Sequence, residues 1–165
     1  MSAVRRLDRH VLRDLFSRPA SVPGPSPASL DPPGPRRYGT VQLRHVDVGS
    51  CNGCEMEIAQ AFGPVYDAAQ YGARLVASPR HADGLLVTGT PTLNMRQPLQ
   101  RVREAVPQPA LVVACGDCAL GRGPYAEAYA VTGGVREHGP VHAEIAGCPP
   151  HPEEIVRVLR QVTGR

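Results

Sequence analysis

Five cysteines fall at three places along the chain: Cys51 with Cys54, Cys115 with Cys118, and Cys148 alone. Thiolates are soft ligands that hold zinc or iron-sulfur clusters, and a Cys-x-x-Cys spacing lets one loop present two of them to a single centre. The first pair lies in Gly49-Ser50-Cys51-Asn52-Gly53-Cys54-Glu55, between a strand-like run and a helix-like run. Such a pair alone describes a dithiol redox site or a zinc knuckle equally well. The rest of the inventory adds weight, because Cys115-Gly116-Asp117-Cys118 and Gly147-Cys148-Pro149-Pro150 also follow short apolar runs that read as strands. Sulfur is therefore expected at three separate strand ends.

The elements that must position these thiols follow from the apolar pattern. Val41, Leu43, Val46 and Val48 mark a first strand ending at Gly49-Ser50. A helix is expected over 54–62, with Ile58 and Phe62 on one face and Gly63-Pro64 as its stop. Its first turn carries Cys54 and Glu55, where helix amides favour a thiolate. The runs 73–77, 84–88 and 110–114 are continuously apolar, the pattern of parallel strands covered on both faces. A helix is expected to end near Val106, before Pro107 and Pro109. Another is expected from Pro124, with Tyr125, Ala128 and Tyr129 on one side. A last strand over 141–146 precedes a helix that starts near Pro152 and turns Ile155, Val158, Leu159 and Val162 to one face. Alternating strands and helices make an α/β fold, a mainly parallel sheet with helices on both faces. Ligands of such sheets bind at the carboxyl ends of the strands, where all three cysteine groups are expected to meet.

The chain of 165 residues suits one domain with a modest core. Residues 1–17 read as a short amphipathic helix, through Val4, Leu7, Val11, Leu12, Leu15 and Phe16, which either docks on a partner or covers its own domain. Seven prolines over 18–37 make that stretch an extended linker, leaving 38–165 as the folded domain. The net charge of +3 comes with 18 Arg and no Lys and without a dense basic block; with 4% aromatics and no Trp, this argues against nucleic acid as a partner. No apolar run reaches the roughly 18–20 residues of a membrane helix, and charges occupy the place of a signal peptide's apolar segment, so a cytoplasmic location is expected. In a reducing compartment cysteines serve more often as metal ligands than as disulfides.

A zinc ribbon would set two Cys-x-x-Cys knuckles about 15–20 residues apart. Here most of a domain separates them, and Cys148-Pro149 matches the Cys-Pro ending of ferredoxin ligand runs. An iron-sulfur cluster is favoured on this ground, while a zinc-stabilised binding module and a stand-alone dithiol oxidoreductase stay open.

From about Val46 to Val158 the chain resembles the small iron-sulfur subunit shared by respiratory complex I, where it is the 20 kDa-type subunit, and the membrane-bound nickel-iron hydrogenases, formate hydrogenlyase included. The motifs are Gly-Ser-Cys-Asn-Gly-Cys-Glu at 49–55, Ser-Pro-Arg-His-Ala-Asp at 78–83, Thr-Gly-Thr at 88–90, Gly-Asp-Cys-Ala at 116–119 and Gly-Cys-Pro-Pro at 147–150. The resemblance implies a flavodoxin-like domain with one 4Fe-4S cluster on Cys51, Cys54, Cys118 and Cys148, against a large catalytic subunit and within a membrane-associated complex. It implies an electron-relay subunit of an oxidoreductase, peripheral on the cytoplasmic side of the membrane, with no complete active site of its own. Glu55, Arg80, His81 and Thr90 are the side chains expected near the cluster. The complex I branch usually has adjacent cysteines at the first motif; Gly53 intervenes here, which favours the hydrogenase branch over a quinone-reducing subunit. Cys115 continues the apolar run 111–114 and is expected to be a small buried hydrophobe rather than a ligand.

Overall fold

The computed structural model describes residues 39–165. The helix expected over 1–17 and the linker expected over 18–37 lie outside the described residues. Five strands, β1 (Val41–Asp47), β2 (Ala73–Leu75), β3 (Gly84–Thr88), β4 (Leu111–Cys115) and β5 (Ala143–Ile145), form one sheet in the order β2-β1-β3-β4-β5. Every neighbouring pair is parallel. This is the flavodoxin-like order, with a topological switch point between β1 and β3. Among the described residues three α-helices accompany the sheet: α1 (Gly53–Ala61), α2 (Arg96–Ala105) and α3 (Pro152–Thr163).

Side chains alternate across the central strands and so divide the core in two. Leu43, Leu86, Val113 and Ile145 pack with Ile58 and Ala61 of α1 and with Ile155, Val158 and Leu159 of α3. Leu85, Val87, Val112 and Ala114 pack on the opposite face with Leu99 of α2. β3 and β4 are buried at every position, which is why they read as unbroken apolar runs. α3 is well delimited: His151 accepts from the Glu153 amide, Pro152 opens the first turn, Glu153 and Glu154 face the positive end of the helix dipole, and Gly164 closes it in the left-handed conformation.

Two expectations change. The helix from Pro124 does not form; turns closed by Ala126 N–H to Gly123, Ala128 N–H to Tyr125 and Val131 N–H to Ala128 take its place. The segment is instead anchored by its backbone, through the Thr92–Val131 bridge and Leu93 N–H to Ala130, and Tyr129 is left 99% exposed. Glycines at 121, 123, 133 and 134 bracket the stretch and disfavour helix on both sides. β2 stops at Leu75, short of the run 73–77, because it pairs only with Val41–Leu43 at the start of β1. No helix among the described residues is long and apolar enough to cross a membrane.

His142 registers β5 against β4. Its backbone N–H donates to the Val112 carbonyl at 2.8 Å, and its Nδ1 accepts the Val112 N–H at 2.9 Å. Only the neutral ring offers that acceptor, and burial, assisted by the charge of Arg103, holds its pKa below the usual 6.5. A group whose folded pKa is depressed stabilises fully above its unfolded value and loses that contribution as pH falls through the folded one. The unfolding midpoint is therefore expected to decline as pH drops below about 6.5. His142→Asn, whose Oδ1 keeps the acceptor without titrating, should decline less. Thermal melts of both proteins from about pH 8 to about pH 5 check this, and coincident profiles would contradict it.

Candidate metal centre

The loops that follow β1, β4 and β5 carry the thiols, and backbone hydrogen bonds tie those loops together. After β1, Asp47 Oδ1 accepts the amides of Gly49 and Ser50, both at 2.8 Å, and so folds the chain into the turn that leads to Cys51. Asn52 takes the left-handed conformation at φ 66°, and α1 then begins at Gly53 with Cys54 in its first turn. After β4, Gly116 donates to Ile145 at 2.7 Å and Asp117 donates to Gly147 at 2.8 Å. Asp117 Oδ1 accepts the Gly147 amide in return at 3.1 Å, fixing the loop just ahead of Cys148, and is paired with Arg122 Nε at 3.2 Å.

Thr90, 2% exposed, joins the first loop to the second. Its amide donates to the Gly49 carbonyl at 3.2 Å, and its hydroxyl donates to the Cys118 carbonyl at 3.2 Å. The backbone approaches the sulfurs closely at two glycines. A Cβ on Gly116 would lie 2.4 Å from Cys54 Sγ, and one on Gly123 would lie 2.4 Å from Cys118 Sγ. At Gly53, the Cβ position is 3.5 Å from Cys51 Sγ and 3.7 Å from Pro149 Cβ, which puts the first and third loops side by side.

Cys54 and Cys118 are buried; Cys51 and Cys148 are exposed. Burial, and then the charges of Cys148, Cys54, Cys51 and Asp117, push the Cys118 thiol up to about 11. The other three sulfurs therefore act on Cys118 through space. Cys54 goes the other way: a hydrogen bond from Cys115 holds it below the usual thiol range, against the opposing effect of burial. Cys115 holds its proton tightly, because it donates to Cys54 and because it is fully buried. Cys115 is buried, as expected. Among the described residues no three His, Cys, Asp or Glu side chains are gathered closely enough to chelate a single ion.

Glu55 lies beside the thiols, within a polar group the sequence did not reveal. The Thr88 hydroxyl, fully buried at the end of β3, donates to Glu55 Oε1 and lies 2.8 Å from His45 Nε2. His45 is 3.6 Å from the same carboxylate oxygen, while Glu55 Oε2 is buried and has no hydrogen-bond partner among the described residues. Burial outweighs the attraction of Glu55 and lowers the His45 pKa. Arg80 and His81 are elsewhere. Both are exposed, in a short 3-10 turn that runs into the amino end of β3, whereas the thiols gather at the carboxyl ends. The sequence assigns no role to Asp47 or His45, and Thr88 and Asp117 enter it only as members of the motifs at 88–90 and 116–119; the signal available for Asp47 and Asp117 is an aspartate one or two residues from a glycine at a strand end.

An α/β domain with flavodoxin-like strand order and thiols on three carboxyl-end loops is the framework of an electron-transfer subunit. A family model described as NADH ubiquinone oxidoreductase, 20 Kd subunit, matches residues 51–162, and the chain belongs to that family. An uncharacterized protein of Methanocaldococcus jannaschii is 46% identical over 76% of this chain and 84% of its own length. Formate hydrogenlyase subunit 7 of Escherichia coli is 44% identical over 65% of this chain, which spans only 42% of that relative. A probable membrane-bound hydrogenase subunit of Pyrococcus furiosus is 44% identical over 68% of this chain and 67% of its own length. Among solved structures, a chain of an archaeal membrane-bound sulfane sulfur reductase, a respiratory membrane complex, superposes with a TM-score of 0.67 at 28% identity, over 78% of this chain and 71% of that one.

Gly116 is at φ +90°, a conformation that side chains rarely adopt, and no Cβ fits between it and Cys54. Gly116→Ala is expected to lower the unfolding midpoint and to displace Cys54, making that thiol more reactive towards iodoacetamide in the cluster-free chain. Mass-spectrometric alkylation rates check this. An unchanged rate at Cys54 together with an unchanged midpoint would contradict the close packing.

Proposed function

We propose that Cys51, Cys54, Cys118 and Cys148 hold one 4Fe-4S cluster, and that the chain relays electrons as a subunit of a nickel-iron hydrogenase-like oxidoreductase. The observation that carries this reading is the convergence of thiols from three hydrogen-bonded loops at the carboxyl edge of one parallel sheet. The donor set fits the group. Sulfurs that oppose one another's ionisation, as the raised Cys118 thiol records, become compatible once a positively charged iron core lies among them. The cluster would supply one-electron chemistry. The chain's own part is to hold the sulfurs in place, to keep Cys54 and Cys118 from water, and to leave Cys51 and Cys148 at the rim.

The relatives named as formate hydrogenlyase and membrane-bound hydrogenase subunits support the hydrogenase reading, as does Gly53 between the first two cysteines. A complex I-type role is the second reading, favoured by the family model and by an NADH-quinone oxidoreductase subunit of Carboxydothermus hydrogenoformans that is 39% identical over 62% of this chain. In either setting the exposed rim of the centre is covered by a large catalytic subunit. Exposed Met56, which follows Cys54 and Glu55 on α1, supports such a cover, as do exposed Leu93, Tyr125 and Tyr129. The complex is then membrane-associated, with this chain peripheral on its cytoplasmic side.

Produced anaerobically, the chain is expected to be brown and to contain about four iron and four acid-labile sulfide per molecule. Alanine at Cys118 or Cys148 should remove most of the iron, and Cys115→Ala should retain it. A colourless zinc protein would contradict the cluster, and loss of iron in Cys115→Ala but not in Cys118→Ala would reverse the assignment of the third ligand.

A further inference from the structure

The loop that carries Cys148 has few means of being held. Pro149 and Pro150 have no N–H to donate, and Cys148 and Pro149 are exposed. Both main-chain groups of Gly147 go instead to one residue of the preceding thiol loop. The Gly147 carbonyl accepts the Asp117 N–H at 2.8 Å, and the Gly147 N–H donates to Asp117 Oδ1 at 3.1 Å. Asp117 is fixed in turn by Arg122, whose N–H donates to the Asp117 carbonyl at 3.0 Å and whose Nε donates to the same Oδ1 at 3.2 Å. Gly121, at φ 76°, makes the turn that brings Arg122 back. Donors from two loops therefore meet on one carboxylate oxygen. We infer that Asp117 is a positioning residue for Cys148, with Arg122 as its brace: the pair joins the third thiol loop to the second before any metal is bound. The consequence for metal rests on the cluster reading above; the effect on the loop does not.

The direction follows from conformational entropy. A loop held by ligation alone would give up its backbone freedom when metal binds, and binding would be weaker by that amount. A loop already tied has lost that freedom in folding, so its thiol is presented in place. A hydrogen bond to an ionised acceptor is stronger than one between neutral groups, which suits a tie made by a single side chain. The carboxylate also brings negative charge to within one residue of Cys118, where it opposes thiolates, and the paired guanidinium offsets it. An acid at this position is therefore accounted for by the bond it accepts rather than by its charge.

The test compares wild type, Asp117→Ala, Asp117→Asn and Arg122→Ala in two measurements. The first is amide hydrogen exchange of the cluster-free chain over residues 146–148, with residues 49–52 as the control, since Asp47 and Thr90 hold that loop separately. The second is iron release from the anaerobic holoprotein to a chelator. Asp117→Ala should speed exchange at 146–148 by roughly tenfold, the size of one hydrogen bond to a charged group, leave 49–52 unchanged, and speed iron release. Asp117→Asn, whose Oδ1 is still an acceptor, should recover most of both. Arg122→Ala, at a side chain 60% exposed, should fold normally and give a smaller change of the same sign. Wild-type exchange at 146–148 in Asp117→Ala, equal acceleration in both loops, or an Asn variant no better than the Ala variant would overturn the inference. So would wild-type iron release where exchange is accelerated. Should Asp117→Ala fail to fold, Arg122→Ala decides: wild-type exchange at 146–148 there would overturn it. A wild-type chain that takes up no iron would overturn the cluster reading, and the exchange measurement would still decide whether Asp117 holds the loop.

Discussion

Bringing thiol-bearing loops of one chain together is electrostatically unfavourable, and the rest of the structure is arranged around that cost. The raised Cys118 thiol registers it directly, since the other sulfurs and burial all work against its ionisation. A loop left to itself would relax away from such neighbours. Here the three loops are fixed by bonds that involve no sulfur: Thr90 to Gly49 and Cys118, Gly116 to Ile145, and the reciprocal pair between Asp117 and Gly147. Those bonds have defined geometry because each starts at the end of a strand in a sheet buried on both faces.

The same arrangement connects packing to function. Residues that alternate on β4 send Val113 and Cys115 into the α1 face, so the strand that supplies core also supplies a thiol against Cys54. Glycine is required where the backbone passes the sulfurs, at Gly116 and Gly123, because a methyl group there would occupy the space the thiols need. Burial is graded across the centre, from Cys54 and Cys118 inside to Cys51 and Cys148 at the rim.

Much of the fold could be read from the chain because burial leaves a direct mark on composition. β3 and β4 are unbroken apolar runs, and α3 shows its cap, its first-turn acids and its closing glycine in order. The spacing around Tyr125 and Tyr129 suits a helix, yet both side chains are exposed, and the backbone is satisfied by strand-like contacts to Thr92 and Leu93. At the site, sulfur content and strand ends were enough to place the loops. Arg80 and His81 precede a strand, and segments that precede strands of a parallel sheet lie at the amino edge, away from the ligand side. His45 and Thr88 were hidden for the opposite reason. They lie inside strands, where a polar residue reveals its partner only after the register of β1 with β3 and the start of α1 are known.

Thiols from three loops, on the reading proposed above, hold one iron-sulfur cluster. Iron-edge X-ray absorption of the anaerobically purified holoprotein tests it most directly. The expected result is a first shell of sulfur alone at about 2.3 Å, the length of a metal-thiolate bond, with a second shell from neighbouring iron atoms. Oxygen or nitrogen in the first shell without iron neighbours, or a signal at the zinc edge instead, would contradict it.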